Sequence, residues 1–311
     1  MTTGEPLALP ESEGCLSLSM QEPYPAFPFR GDDGLMLTLP ATGNAVPSSP
    51  SLQVPAVHCP SFEMPADRQG RPLDLEAARQ LLEPLDASSR LRWAADTFGA
   101  GLVLTTSFGI QSAVLLHMVS ELGEVAPGQR VPVIWVDTGY LPPETYHYAE
   151  KLAALLSIDL RVVQAAISPA RMEALHGRLW ESGTLEDLQL YNQLRKVEPL
   201  DQALIDLQVR CWASGVRGRQ TDHRRGMTPL DAVRGAWSLR PLLAWTSRDV
   251  FYYMQEHGLP QHPLFEQGYS TVGDWHSSAP DDGDISGRAT RFGGIKQECG
   301  IHLPGLMGEG I

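Results

Sequence analysis

The sequence predicts an α/β fold: a parallel, twisted sheet with helices on both faces. Three observations predict it. Short apolar runs of strand length, such as residues 101–106 and 131–137, alternate with longer segments of helical periodicity. Cap and turn residues, Asp86 and Gly99 among them, punctuate the joins. Polar clusters follow directly on predicted strands, where parallel sheets bind their ligands.

The elements run in order. Residues 75–85 and 88–98 each carry an amphipathic helical pattern, the second capped by Asp86 and ended by Gly99. Residues 101–106 suit a buried strand. Residues 112–122 then read as a helix, with Val114, Leu115, Met118, Val119 and Leu122 apolar. A second buried strand covers 131–137, a helix 143–156 and a third strand 160–163. A helical, partly polar stretch follows, and residues 209–216 and 237–243 read as the fourth and fifth strands.

Residues 1–68 differ from the rest. They are rich in Pro, Ser, Thr and Gly, and acids outnumber bases. They read as a disordered extension, and neither a transit peptide nor a signal peptide fits them. Residues 69–245 then form the nucleotide-binding α/β domain, and residues 246–311 a C-terminal segment with a mobile tail. The chain has 311 residues, with 42% hydrophobic and 20% charged, as expected of a soluble enzyme. No apolar run has the length of a membrane-spanning helix. The net charge of −13 argues against general affinity for nucleic acid, which needs clustered basic charge. The four cysteines, Cys15, Cys59, Cys211 and Cys299, show no CxxC spacing and read as reduced cytosolic thiols. Cys211 falls in an apolar strand and reads as core.

Three clusters carry chemistry. Thr105 to Ser112 runs from a strand into a helix, where unpaired N–H groups suit a phosphate or sulfate. Ser107 and Gly109 would allow close backbone approach to that anion, although a plain strand–helix turn reads the same way. The loop lacks GxxxxGK[ST] and is not an ATPase loop of that kind. Asp137, ending the second strand, could orient a ribose hydroxyl or an adenine amine, or else cap the next turn. Arg217, Arg219, Arg224 and Arg225 concentrate positive charge in a turn after a buried strand. Arginine forks pair with phosphate or sulfate, so anion binding is preferred over a solvated run.

Five motifs occur in order: Thr106-Ser-Phe-Gly-Ile-Gln111, Asp137-Thr-Gly-Tyr-Leu-Pro-Pro-Glu-Thr-Tyr146, Lys196-Val-Glu-Pro199, Gly268-Tyr-Ser-Thr-Val-Gly-Asp-Trp-His276 and Glu298-Cys-Gly-Ile-His302. Together, over about residues 72–302, they make the chain resemble the phosphoadenylyl-sulfate (PAPS) reductases of assimilatory sulfate reduction. The resemblance implies an adenine-nucleotide α-hydrolase-like fold and a cytoplasmic homodimer. It implies reduction of PAPS to sulfite and adenosine 3′,5′-bisphosphate by thioredoxin, or by glutaredoxin, through an S-sulfocysteine. Cys299 would be the nucleophile, with Lys296 and His302 lowering its pKa. By the same resemblance Ser107, Gly109 and Gln111 would face the sulfonyl-phosphate or adenylate end, Lys196, Arg217, Gln220 and Arg224 would hold the substrate's anionic groups, and Arg291 and Lys296 would add charge from the tail. His276 would contact substrate or tail, or sit as a core or capping histidine.

The sister group, adenylyl-sulfate (APS) reductase, often carries a four-iron four-sulfur cluster. At its cysteine positions this chain has Tyr191-Asn192, Asp274 and Ser277. No cluster is expected, and PAPS is favoured over APS. The rivals are a cluster-free APS reductase, an ATP-using adenylyl or pyrophosphatase-type enzyme, and a non-catalytic nucleotide-binding module. The loop lacks the Ser-Gly-Gly-Lys-Asp-Ser form of the ATP-using class.

Overall fold

The computed structural model describes residues 64–283, 285–295 and 301–302. Most of the N-terminal extension, with Cys15 and Cys59, lies outside the described residues, as do Lys296 and Cys299. Two capped helices open the fold. Asp74 accepts from the N–H groups of Glu76 and Ala77 to start α1 (Leu75–Leu82). Asp86 accepts from Ser89 N–H at 2.7 Å to start α2 (Ala87–Phe98), which ends at Gly99 with φ of +53°. Buried Arg90 ties the pair, donating to the carbonyls of Leu82, Glu83 and Pro241.

The chain then alternates. β1 (Leu102–Thr106) leads to α3 (Ala113–Ser120) and a small antiparallel hairpin, β2 (Glu124–Ala126) with β3 (Gln129–Arg130). β4 (Pro132–Asp137), α4 (Pro143–Leu156) and β5 (Asp159–Gln164) follow. The polar stretch holds α5 (Pro169–His176), α6 (Leu185–Asn192), a wide π-turn at Gln193–Val197 and α7 (Glu198–Asp206). β6 (Cys211–Ser214), α8 (Asp222–Arg225), β7 (Leu230–Val233), β8 (Ala236–Leu239) and α9 (Ser247–Glu256) complete the regular elements.

The main sheet runs β5-β4-β1-β6-β8-β7, parallel except for β7. From β1 the chain first builds outward through β4 and β5, then returns to build β6 and β8 on the other side. The direction therefore reverses between β1 and β6, and the crevice for a ligand opens beyond their carboxyl ends. Side chains of β1 alternate between two cores, as a two-residue period requires. Leu102 and Leu104 join the core shared with α2, α3 and α4. Val103 joins Leu200, Ala203 and Leu204 of α7 on the opposite face. Val250 and Met254 of α9 enter the first of these cores.

The expected parallel α/β architecture is what forms, with most strands shorter than the apolar runs, β5 longer, and an antiparallel edge. β7 was not expected: its burial is patchy, and its turn to β8 uses Arg234 and Gly235, both at positive φ. Among the described residues no helix is long and apolar enough to cross a membrane.

His262 ties α4 to the turn Pro263–Phe265. Its Nδ1 accepts from Leu264 N–H at 3.2 Å, so Nε2 carries the proton and donates to Thr145 Oγ1 at 3.1 Å. Burial pushes its pKa down to about 4. The unfolded chain therefore binds a proton here between about pH 6.5 and 4 that the folded chain refuses. This contribution to stability is complete above pH 6.5 and is lost as pH falls towards 4, at up to about 1.4 kcal/mol per pH unit. In urea melts at pH 7 and pH 5, the wild type should lose roughly 2 kcal/mol more than His262→Gln loses.

Candidate active site

A cavity of about 230 Å³ opens at the carboxyl ends of β1, β4 and β6, where the topology reverses. The β1–α3 loop supplies Ser107, Gly109 and Gln111. Phe108 between them adopts φ of +46° and buries its ring against Trp135. Its N–H is held by Thr106 Oγ1 at 3.1 Å, and Ser112 Oγ donates to Gly109 O at 2.8 Å. The expected cradle is therefore a tightly closed loop facing the cavity.

The basic turn after β6 faces it from the other side. Arg217, Gln220 and Arg224 all line the cavity. The Arg217 guanidinium is buried and donates to Gln111 Oε1 and to Ser247 Oγ, both neutral acceptors. Gln220 Oε1 accepts from Arg217 N–H at 3.2 Å and from Arg224 Nη1, binding the turn to itself. Burial, and then the neighbouring charge of Arg224, push the Arg217 pKa down to about 10. A bound anion would relieve both effects. Gly218 lets the turn pass close to the chain: a Cβ there would stand 3.3 Å from Leu243 O.

Lys196 also lines the cavity, but its charge already has a partner. Its Nζ meets Asp274 Oδ2 at 2.5 Å, with Asp274 fully buried. Thr138 Oγ1 donates to Asp274 Oδ1 at 2.5 Å. Burial alone would raise the Asp274 pKa; the positive influence of Lys196 and His276 outweighs it and holds the carboxyl well below its usual range. Arg195 fixes the loop bearing Thr138 by donating to the carbonyls of Thr138 and Ile167. Arg291 comes from the segment Gly287–Gly294, is buried, and donates to Ser277 Oγ at 2.8 Å. Its guanidinium lies where a Cβ on Gly273 would stand, so only glycine admits it.

At Asp137 and His276 the structure takes the alternative reading, a turn cap and a core histidine, and at His302 the expectation of a cation needs correction. Asp137 does not line the cavity. Its carboxylate accepts from Gly139 N–H at 2.8 Å, Tyr146 Oη at 2.7 Å and Gln164 Nε2 at 2.7 Å, so it closes a turn and is engaged within the fold. His276 does not line it either. Its ring stacks on Trp180 at 4.1 Å and 10°, and Nε2 meets Tyr191 Oη at 3.0 Å, as in a core histidine. Burial pushes its pKa down to about 4. His302 does line the cavity, stacked on Trp212 at 5.5 Å and 13°. Burial, then Arg224, Arg240, Arg288 and Arg234, hold its pKa well below the usual value, so it is neutral and supplies no positive charge to a neighbouring thiol.

Sequence reasoning missed Asp274 as a partner, Arg288 as a lining residue and Arg195 as a brace. Asp274 was noted only for standing at a cysteine position. Arg288 is a lone base in an acidic linker, and Arg195 precedes Lys196 directly; those were the available signals.

The phosphoadenosine phosphosulfate reductase domain matches residues 101–280. A phosphoadenosine 5′-phosphosulfate reductase of Synechococcus is 56% identical over 218 residues, 70% of this chain and 92% of that protein. One of Synechocystis is 49% identical over 233 residues, 75% of this chain and 92% of that protein. Among solved structures, the PAPS reductase of Candida auris in a phosphate complex superposes with a TM-score of 0.56 at 31% identity. That match covers 67% of this chain and 98% of the other.

The buried Lys196–Asp274 pair gives a stability test. Lys196→Met strands a carboxylate and should cost about 3–5 kcal/mol. Adding Asp274→Leu should recover most of the loss. Urea midpoints of the two variants and the wild type check both.

Proposed function

The chain belongs to the phosphoadenosine phosphosulfate reductase family, and from that premise we propose that it reduces PAPS to sulfite and adenosine 3′,5′-bisphosphate, with thioredoxin as electron donor. One observation carries the reading. Arg217, Arg224, Arg288 and Arg291 line a single cavity together with Ile301 and His302, which follow Cys299 by two and three residues. PAPS presents a 3′-phosphate and a sulfonated 5′-phosphate, so a site for it needs cations towards both.

In this reading the Cys299 thiolate attacks the sulfonyl sulfur. The sulfur–oxygen bond to the 5′-phosphate breaks, and its electron pair leaves with adenosine 3′,5′-bisphosphate. Cys299 then carries an S-sulfonate. A thioredoxin thiolate attacks the Cys299 sulfur, sulfite departs with the electron pair of the sulfur–sulfur bond, and a mixed disulfide forms. The second thioredoxin thiolate attacks thioredoxin's own sulfur and releases Cys299 as thiolate. Thioredoxin's two thiols supply the two electrons that sulfite gains. The cavity arginines stabilise the charge growing on the leaving phosphate, and they favour the attacking thiolate. With His302 neutral, that positive potential comes from groups that stay charged across the physiological range.

The reading needs only thiol chemistry. Tyr191, Asn192, Asp274 and Ser277, at the cysteine positions of the cluster-bearing sister group, are all buried and offer no thiolate. Asp274 is engaged by Lys196, and Ser277 by Arg291.

The test is intact-protein mass spectrometry after mixing with PAPS, and separately with APS, without reductant. One added sulfonate from PAPS, absent in Cys299→Ser, is the expected result. An adduct from APS alone would make the protein a cluster-free APS reductase, and no adduct from either would end the covalent mechanism. Arg224→Ala should weaken adenosine 3′,5′-bisphosphate binding by about tenfold to a hundredfold in calorimetry.

A further inference from the structure

Arg234 occupies a left-handed position, φ of +58°, in the two-residue turn between β7 and β8. A long side chain there is uncommon. The side chain is only 5% exposed. Its Nη1 donates to both carboxylate oxygens of Asp201 on α7, each at 2.9 Å. Its Nε donates to the carbonyl of Ile301 at 2.9 Å. The Ile301 side chain packs on the core that contains Val103, Ile134, Leu200 and Trp212. His302 stacks on Trp212. Two successive residues are thus held at three points: a carbonyl, an aliphatic side chain and a ring.

Neither Arg234 nor Asp201 lines the cavity, whereas Ile301 and His302 do. Two peptide units separate Ile301 from Cys299, so their Cα atoms stand at most about 7 Å apart. Fixing Ile301 therefore restricts where the Cys299 thiol can go. A lysine could not do the same, since it is a point charge without a second edge to donate along.

We propose that Arg234, braced by Asp201, is a positioning residue for the reaction. It seats Ile301 and His302 against the cavity wall and so confines the nucleophile two residues upstream. This rests on the reading of Cys299 given above. Arg234 and Asp201 lie outside the cavity and act on the reaction only through the residues they seat.

Arg234→Lys and Ile301→Ala test it, the second changing only the seated residue. Three quantities are measured: amide hydrogen exchange in the peptide spanning 301–302 and in β6 and β8; adenosine 3′,5′-bisphosphate affinity; and the single-turnover rate of Cys299 sulfonation by PAPS. In both variants exchange at 301–302 should rise roughly fivefold or more, with β6 and β8 unchanged. Nucleotide affinity should hold in Arg234→Lys, whose side chain lies outside the cavity, while the sulfonation rate falls about tenfold to a hundredfold in both variants. Unchanged exchange at 301–302 overturns the seat. Faster exchange with an unchanged sulfonation rate overturns the positioning role. A wild type that forms no adduct sinks the reading of Cys299 and the positioning role with it, and exchange at 301–302 then judges the seat alone.

Discussion

Positive charge has to be gathered at one edge of the sheet without being neutralised there. Five arginines show the contrast. Arg217 and Arg291 line the cavity and donate to neutral oxygens, those of Gln111, Ser247 and Ser277. Arg79, Arg234 and Arg240 lie away from it and donate to carboxylates, those of Asp231 and Asp201. Neutral acceptors orient a guanidinium and leave its charge available, whereas a carboxylate uses the charge up. The cost is desolvated, mutually repelling cations, visible in the lowered pKa of Arg217. An acidic chain can hold such a pocket for polyanions because the rest of its surface does not compete for them.

Lys196 is the exception that clarifies the arrangement. It lines the cavity, yet its ammonium is bound to fully buried Asp274. A carboxylate in that position would repel an incoming anion unless it were fully compensated, and Lys196 with Thr138 compensates it. The pair acts as structure at the edge of the site: it ties the π-turn Gln193–Val197 to the segment that bears Gly273 and Ser277, and through Ser277 to Arg291. The charge carried over to a ligand belongs to the arginines.

The sheet was legible because its signals are local. Leu102, Val103 and Leu104 form an unbroken apolar run, which only a strand covered on both faces can bury, and Asp86 and Gly99 mark a helix by their own chemistry. β7 was hidden because half of its side chains face outward and its turn rests on an arginine in a conformation that arginine seldom takes. In the site, Ser107, Gln111, Arg217 and Arg224 were readable from charge and position after a strand. Asp137 and His276 were not, because their roles depend on whether their polar atoms are already engaged. Tyr146 engages Asp137 from the far end of the same motif, and Gln164, Trp180 and Tyr191 engage the two from more distant parts of the chain, which no local pattern encodes.

His302 shows the same limit and leads further. Beside a cysteine in sequence, a histidine suggests a cation that activates a thiol. In the fold it sits on Trp212, and burial with the charges of Arg224, Arg240, Arg288 and Arg234 makes a further positive charge on its ring unfavourable. A neutral ring stacks on Trp212 there without adding to the positive charge. On the proposed reading of Cys299, activation and docking are divided between residue types: arginine, which does not titrate near neutral pH, supplies the potential, while Ile301 and His302 supply the apolar contact with Trp212 and its neighbours. A cationic residue at position 302 would set the two tasks against each other, adding potential at the thiol while driving the segment away from the cavity.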